Sequence, residues 1–134
     1  MNSPGGAGED PARDDTAVEV DVTKHRGVDV VAVVGDFDAY SARDVKRVVF
    51  DATVCAQTEV VLDLTGVGFM DSMGVSTIFA CRKALESRVA HLSLVVPPDT
   101  RVFQLVRSLG LDVLVAIYPS TGAALAALST SIDL

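Results

Sequence analysis

Three short blocks of almost unbroken apolar residues constrain this chain more than anything else in it: Val28 to Val34 (VDVVAVV), Val60 to Leu64 (VVLDL) and Leu92 to Val96 (LSLVV). A strand with one wet face alternates apolar and polar residues, whereas a strand covered on both faces has no need to. Each block is followed by residues at helical spacing. After the first come Val45, Val48, Val49, Ala52, Cys55 and Ala56, preceded by Ser41 and Asp44, whose separation resembles a capping box. After the second, Ser72 to Ser87 reads as a helix with Val75, Ile78, Cys81 and Leu85 on one face and Arg82, Lys83 and Glu86 on the other. After the third, Pro97-Pro98 stops the strand, and Val102, Leu105, Val106 and Leu109 give a helix closed by Gly110.

The ends complete the pattern. From Val18 to Thr23 apolar and acidic residues alternate as in a half-buried edge strand, and Arg26-Gly27 suits a hairpin turn into the first apolar block. Val113 to Tyr118 reads as the last strand, and a final helix built from Ala123, Ala124, Leu125, Ala127 and Leu128 follows Pro119 and Ser120. Strand and helix therefore alternate without any internal repeat, which predicts a single α/β domain: a mainly parallel sheet of about five strands with about four helices packed on it. With 134 residues and 49% apolar content the chain can bury one core. Residues 1–16 (MNSPGGAGEDPARDDT) are rich in Gly, Pro and acid and carry no apolar period, so they read as a disordered acidic leader, with the domain over 17–134.

Charge and composition remove several classes of function. The formal charge of −7 repels nucleic-acid phosphates and argues against a direct DNA or RNA role. No run of about 18 apolar residues occurs and the amino terminus is not a basic segment followed by an apolar one, so the expectation is a cytoplasmic protein with no membrane role. Cys55 and Cys81 are 26 positions apart, and with only His25 and His91 besides, no metal-ligand spacing arises. No metal or cofactor is expected. The two cysteines fall on core-facing stripes of helices that should be neighbours, so a redox pair is conceivable beside the plainer reading of two buried, inert thiols.

Chemistry concentrates in VVLDLTGVGFMDSMGVSTI, where the second buried strand leads through a Gly-containing loop to Asp71, Ser72 and Gly74 at a helix start. In a parallel sheet such a loop lies at the carboxyl end of a strand, where ligands and partners dock. Four readings of Ser72 stay open on the residues alone. Its hydroxyl could simply cap the helix. It could be a nucleophile, although the spacing is not G-x-S-x-G and neither histidine has a claim to sit beside it. The glycines could form a nucleotide loop, although the G-x-G-x-x-G spacing and the Lys of a phosphate loop are missing. Or the hydroxyl could accept a regulatory phosphate.

DLTGVGFMDSMGVSTI resembles the signature of the anti-sigma factor antagonists of the STAS type, in which a strand and loop lead to Asp-Ser-x-Gly at the start of a helix. GDFDAYSA, from Gly35 to Ala42, is similar to the family's Gly-Glu-Leu-Asp-x-x-Thr-Ala, and LSLVVPPDTRVFQLVRSLGLDVLVAIYPSTGAAL is similar to its carboxyl half. The resemblance covers about residues 17 to 130. It implies a non-enzymatic switch. Ser72 aligns with the phospho-acceptor, Asp71 and Gly74 with the flanking motif, and Asp38 with an acidic residue on the partner-facing loop; Met73 stands where many members have a second hydroxyl. Asp38, Asp71, Met73 and Gly74 are thereby implicated in partner binding. The implied partners are an anti-sigma factor with serine kinase activity and a serine phosphatase. The unphosphorylated form binds the anti-sigma factor and releases the sigma factor, and phosphate on Ser72 abolishes binding. The alternative is a STAS module that no kinase addresses, acting as a scaffold or ligand sensor in a signalling complex.

Overall fold

The computed structural model describes residues 18–54 and 59–132, so the acidic leader and Cys55 lie outside the described residues. Five strands form one sheet in the order β1-β2-β3-β4-β5: β1 (Glu19–His25), β2 (Val28–Phe37), β3 (Glu59–Met70), β4 (His91–Val95) and β5 (Ala116–Tyr118). β1 runs antiparallel to β2, and every other pairing is parallel. The expected mixed but mainly parallel α/β sheet is therefore present. Arg26 and Gly27 both take positive φ, 47° and 84°, the backbone that a two-residue hairpin requires. That turn fixes the register, pairing His25 with Val28 and Lys24 with Asp29.

Helices cover both faces of the sheet. On one face lie α1 (Ala39–Val54), α2 (Ser72–Glu86) and α3 (Arg101–Ser108), joined by a single turn, α4 (Leu111–Leu114). Their apolar stripes, Val45 and Val49, Val75, Ile78, Cys81 and Leu85, Val102 and Val106, meet Val31, Val33, Leu62, Leu64, Leu92 and Leu94 of the sheet in the main core. On the other face, α5 (Thr121–Ile132) sets Ala124 against Val28, Val30, Val61 and Val95. Alternate residues of β2 thus enter two different cores, which is why its sequence shows no polar face. The four valines of α1 carry low helix propensity, but burial of Val45 and Val49 outweighs it.

The structure corrects three details of the sequence reading. α1 begins at Ala39 rather than after Ser41, because Asp38 is the capping residue. Gly66 and Gly68 belong to β3 rather than to a loop, and the strand continues to Met70 with register shifts opposite Val33 and between Gly35 and Asp36. A Cβ on Gly66 would stand 2.8 Å from Val34 Cγ2, so glycine here lets the bulged strand stay close to β2. Val113 and Leu114 form part of the helical turn α4, which leaves only Ala116–Tyr118 as the last strand. That turn is the fifth helix among the described residues, consistent with the expected number of about four.

Candidate functional site

The carboxyl ends of β2 and β3 lie side by side, since Phe37 pairs with Met70. Each strand then turns at an aspartate into a helix, and the Asp71 N–H donates to Phe37 O at 3.4 Å across the two turns. Asp38 and Asp71 are therefore neighbours by register. Parallel pairing forces this, because equivalent ends of adjacent strands must meet.

At the first turn, Asp38 Oδ1 accepts from the N–H groups of Tyr40 at 3.0 Å and Ser41 at 3.3 Å. The buried Ser41 hydroxyl accepts in return from the Asp38 N–H at 3.0 Å and donates to Asp36 O at 2.8 Å. This is a reciprocal capping box placed three residues earlier than the Ser41-Asp44 spacing suggested. Asp38 is half-buried, and its carboxylate is engaged in holding α1.

At the second turn, Asp71 has extended backbone and its Oδ1 accepts from Met73 N at 2.9 Å and Gly74 N at 3.2 Å. Asp71, not Ser72, is the N-cap of α2. Ser72 is the first helical residue, exposed, and among the described residues its hydroxyl makes no hydrogen bond. Met73 is 46% exposed beside it. Gly74 is buried, and a Cβ there would lie 2.5 Å from Phe37 O and 2.6 Å from Met70 Cγ. Its place in the motif follows from the close approach of α2 to the end of β2, so it shapes the surface without offering a side chain to it. Thr77 Oγ1 donates to Met73 O at 2.8 Å and fixes the next turn of the helix.

Residues that the sequence reading passed over complete the surroundings. Tyr40, 83% exposed, follows Asp38 by two positions, and Phe69, 52% exposed, precedes Asp71 by two. Between α1 and α2 runs a groove of about 300 Å³ lined by Ala39, Ala42, Arg43, Lys46, Met73, Ser76 and Thr77. No sequence pattern pairs Arg43 and Lys46 with Met73, because only the packing of the two helices brings them together.

Neither histidine can serve Ser72 as a base. His25 pairs with Val28, Val28 with Glu59 and Glu59 with His91, so both stand at the amino end of β3. The length of β3 separates them from Ser72, roughly 35 Å at the usual strand rise. Cys81 lies fully buried on α2, and burial pushes its thiol up from 9.0 to about 12, with Lys46 drawing it part of the way back. A thiol so raised holds its proton and is a poor nucleophile. Among the described residues no group of three His, Cys, Asp or Glu side chains could hold a metal ion, and no helix is long and apolar enough to cross a membrane.

Comparison with known proteins places this geometry. The model of the STAS domain family matches residues 19–124. Among solved structures, an anti-sigma factor antagonist from Mycobacterium paratuberculosis is similar at 27% identity and a TM-score of 0.74, over 84% of this chain and 94% of that one. The phosphorylated form of the Bacillus cell fate determinant SpoIIAA is similar at 18% identity and a TM-score of 0.63, over 84% and 99%. A sulfate transporter family protein from Wolinella succinogenes shares the fold at 19% identity and a TM-score of 0.73, over 84% and 93%. No curated protein sequence matches significantly.

Proposed function

The chain belongs to the STAS domain family, and from that premise we propose that it is an anti-sigma factor antagonist switched by phosphate on Ser72. The observation that carries this reading is the division of labour at the start of α2. Asp71 supplies the cap, so the exposed Ser72 hydroxyl has no structural task and is free to react. The work is binding rather than catalysis. Unphosphorylated, the surface around Asp38, Asp71, Ser72 and Met73 meets an anti-sigma factor, which releases its sigma factor. The anti-sigma factor acts as the serine kinase and supplies ATP, and a serine phosphatase reverses the modification.

Energetics allow one phosphate to act as the switch. It adds about −1.5 to −2 charge at the helix amino terminus, where the dipole favours an anion by roughly 0.3–1 kcal/mol. The Asp71 carboxylate beside it opposes that gain, so the folded domain is nearly indifferent. An interface is not indifferent, since burying an uncompensated charge costs several kcal/mol and a shift from 1:99 to 99:1 needs about 5.5 kcal/mol.

The test is incubation with the cognate anti-sigma factor and ATP, followed by mass spectrometry of Ser72 and calorimetry of binding. Phosphate on Ser72, retained binding by Ser72→Ala and lost binding by Ser72→Asp are expected. Absence of phosphate together with full binding by Ser72→Asp would leave a STAS module that no kinase addresses.

A further inference from the structure

β1 is an outermost strand of the sheet, and it lacks most of the devices that keep such a strand from pairing with another chain. Proteins blunt an open edge by shortening it, bulging it, or setting proline or an outward lysine on it. The opposite edge, β5, is short, spanning Ala116–Tyr118. β1 runs from Glu19 to His25 without proline, and all seven residues keep an unbroken register with β2. Its one lysine, Lys24, reaches back to Asp29 of β2 at 3.2 Å and away from the edge. Val22 is 40% exposed, so the helices on that face stop short of covering the strand.

The hairpin decides which backbone groups of β1 face outward. Residues flanking a two-residue turn form a hydrogen-bonded pair, and such pairs recur at every second residue of an antiparallel ladder. His25 faces Val28 across Arg26-Gly27, so the groups of His25, Thr23, Asp21 and Glu19 point to β2, and those of Val20, Val22 and Lys24 point away from the sheet. Among the described residues no other backbone group bonds to that outer row. A second copy of β1, antiparallel to the first and centred on Val22, uses the whole row. In that register Val22 meets Val22 of the second copy, Val20 meets Lys24, Asp21 meets Thr23 and Glu19 meets His25. No like charges stand directly opposite, which is the arrangement that cross-strand pairing requires. The neighbouring registers that keep the outer rows in phase are shifted by two residues. One sets Asp21 against Asp21 of the second copy, and the other leaves Glu19 and Val20 beyond the end of the second strand.

We propose that the protein forms a homodimer through β1, which joins two five-stranded sheets into one continuous sheet about a two-fold axis at Val22. Main-chain hydrogen bonds supply the affinity, as in other cases of strand addition, and the small area of a single strand pair keeps the association weak and reversible. The pairing leaves the candidate site open. Glu19 faces Val34 near the carboxyl end of β2, the end at which Ser72 lies, so antiparallel pairing sends the two copies of Ser72 to opposite ends of the joined sheet. The dimer is thereby bivalent for a protein that docks at Ser72, while its existence does not depend on the proposed switch.

Analytical ultracentrifugation of the full chain should show a monomer–dimer equilibrium, with dimer abundant at about 100 μM. Val22→Pro removes an outward N–H and no bond to β2, so it should leave the chain folded and raise the dimer dissociation constant at least about tenfold. Val22→Lys sets two like charges at the axis and should weaken the dimer equally, which keeps the edge testable should proline disturb the hairpin. Crosslinking reads the register. In a Cys55→Ser background, Val22→Cys should yield a disulfide-linked dimer on mild oxidation, because Cα atoms of a hydrogen-bonded pair lie about 5.5 Å apart, within disulfide reach. Glu19→Cys and Val20→Cys should yield none, since neither residue faces its own copy. A chain that stays monomeric up to about 1 mM, a dimer indifferent to both Val22→Pro and Val22→Lys, or crosslinks at position 19 or 20 as strong as at 22 would overturn the assignment.

Discussion

Asp71 and Ser72 are adjacent, yet the geometry gives them different work, and substitution separates them. Asp71→Ala strips the acceptor from the N–H groups of Met73 and Gly74 and should lower the unfolding free energy by about 0.5–2 kcal/mol. Ser72→Ala removes a hydroxyl that holds nothing and should change it by less than about 0.5 kcal/mol. Urea denaturation of both variants checks the pair, and equal losses would show that Ser72 supports the helix after all. The sequence places a cap here but cannot assign it, because Asp and Ser are almost equally good caps and helix boundaries are uncertain by a residue or two. Gly74 was legible as a motif residue while its reason was not: only the fold brings Phe37 O to within 2.5 Å of the Cβ it lacks. Cys81 was read correctly from its stripe, and its titration follows from that burial. Below pH 9 the thiol is protonated in both folded and unfolded chains; between 9 and about 12 only the unfolded chain ionises it. Stability should therefore fall with rising pH across that window, by up to about 1.4 kcal/mol per unit. Cys81→Val should show a shallower alkaline decline than wild type in denaturation measured from pH 8 to 11.

At the scale of elements, the β1–β2 hairpin shows how a turn can make a buried charge tolerable. Asp29 is fully buried in β2, and Lys24 of β1 reaches its two carboxylate oxygens at 3.2 and 3.4 Å. Because Arg26-Gly27 is a two-residue turn, positions 24 and 29 must face each other. The pair could thus have been inferred from the sequence once the turn was recognised, although the interruption of VDVVAVV by an acid gave no hint of a partner. Lys24→Met should destabilise by about 1–3 kcal/mol by leaving the carboxylate unsatisfied. Adding Asp29→Val should recover most of the loss, since replacing both members of a buried pair by apolar residues is often neutral. Thermal denaturation of the two single variants and the double variant reads this cycle, and additive losses would show that the ion pair contributes nothing. Other elements were less legible for physical reasons. Val113 and Leu114 belong to an apolar run too short for periodicity to tell strand from helix, and they are exposed on α4. The strand character of Gly66 and Gly68 was hidden because glycine ordinarily signals a loop, whereas here it accommodates bulges in β3. Asp63 at the first bulge accepts from Thr65 and, through its second oxygen, from Thr121 of α5 at 3.1 Å. It ties together elements 58 residues apart in sequence, a contact that no local pattern announces.

For the whole molecule, the question is whether the proposed switch moves the fold or only its surface charge. α2 is anchored on its inner side by Val75, Ile78, Cys81 and Leu85, all in the main core, and at its start by the Asp71–Phe37 hydrogen bond and the tight seat of Gly74. Ser72 points to neither anchor; it is exposed on the first turn. A phosphate there gains from the helix dipole and loses to the neighbouring Asp71 carboxylate, and both terms are at most about 1 kcal/mol in water. The start of α2 is seated tightly on the end of β2, since even a Cβ at position 74 would lie 2.5 Å from Phe37 O, which resists movement of the helix toward β2. Inside the proposed interface the same phosphate would be an uncompensated buried charge, at a cost of several kcal/mol. The two magnitudes differ enough to be measured on one sample. Stoichiometric phosphorylation of Ser72 should shift the melting temperature by no more than roughly 4 °C, as a change of about 1 kcal/mol does in a domain of this size. Hydrogen exchange should change only over residues 70–77, while affinity for the anti-sigma factor falls at least about 100-fold. A fall in melting temperature beyond roughly 10 °C, with exchange accelerated along the whole of α2 and into α1, would mean that phosphate loosens the helix pair. The partner would then be sensing a changed conformation, and a fixed surface that differs only in charge would be the wrong description of the switch.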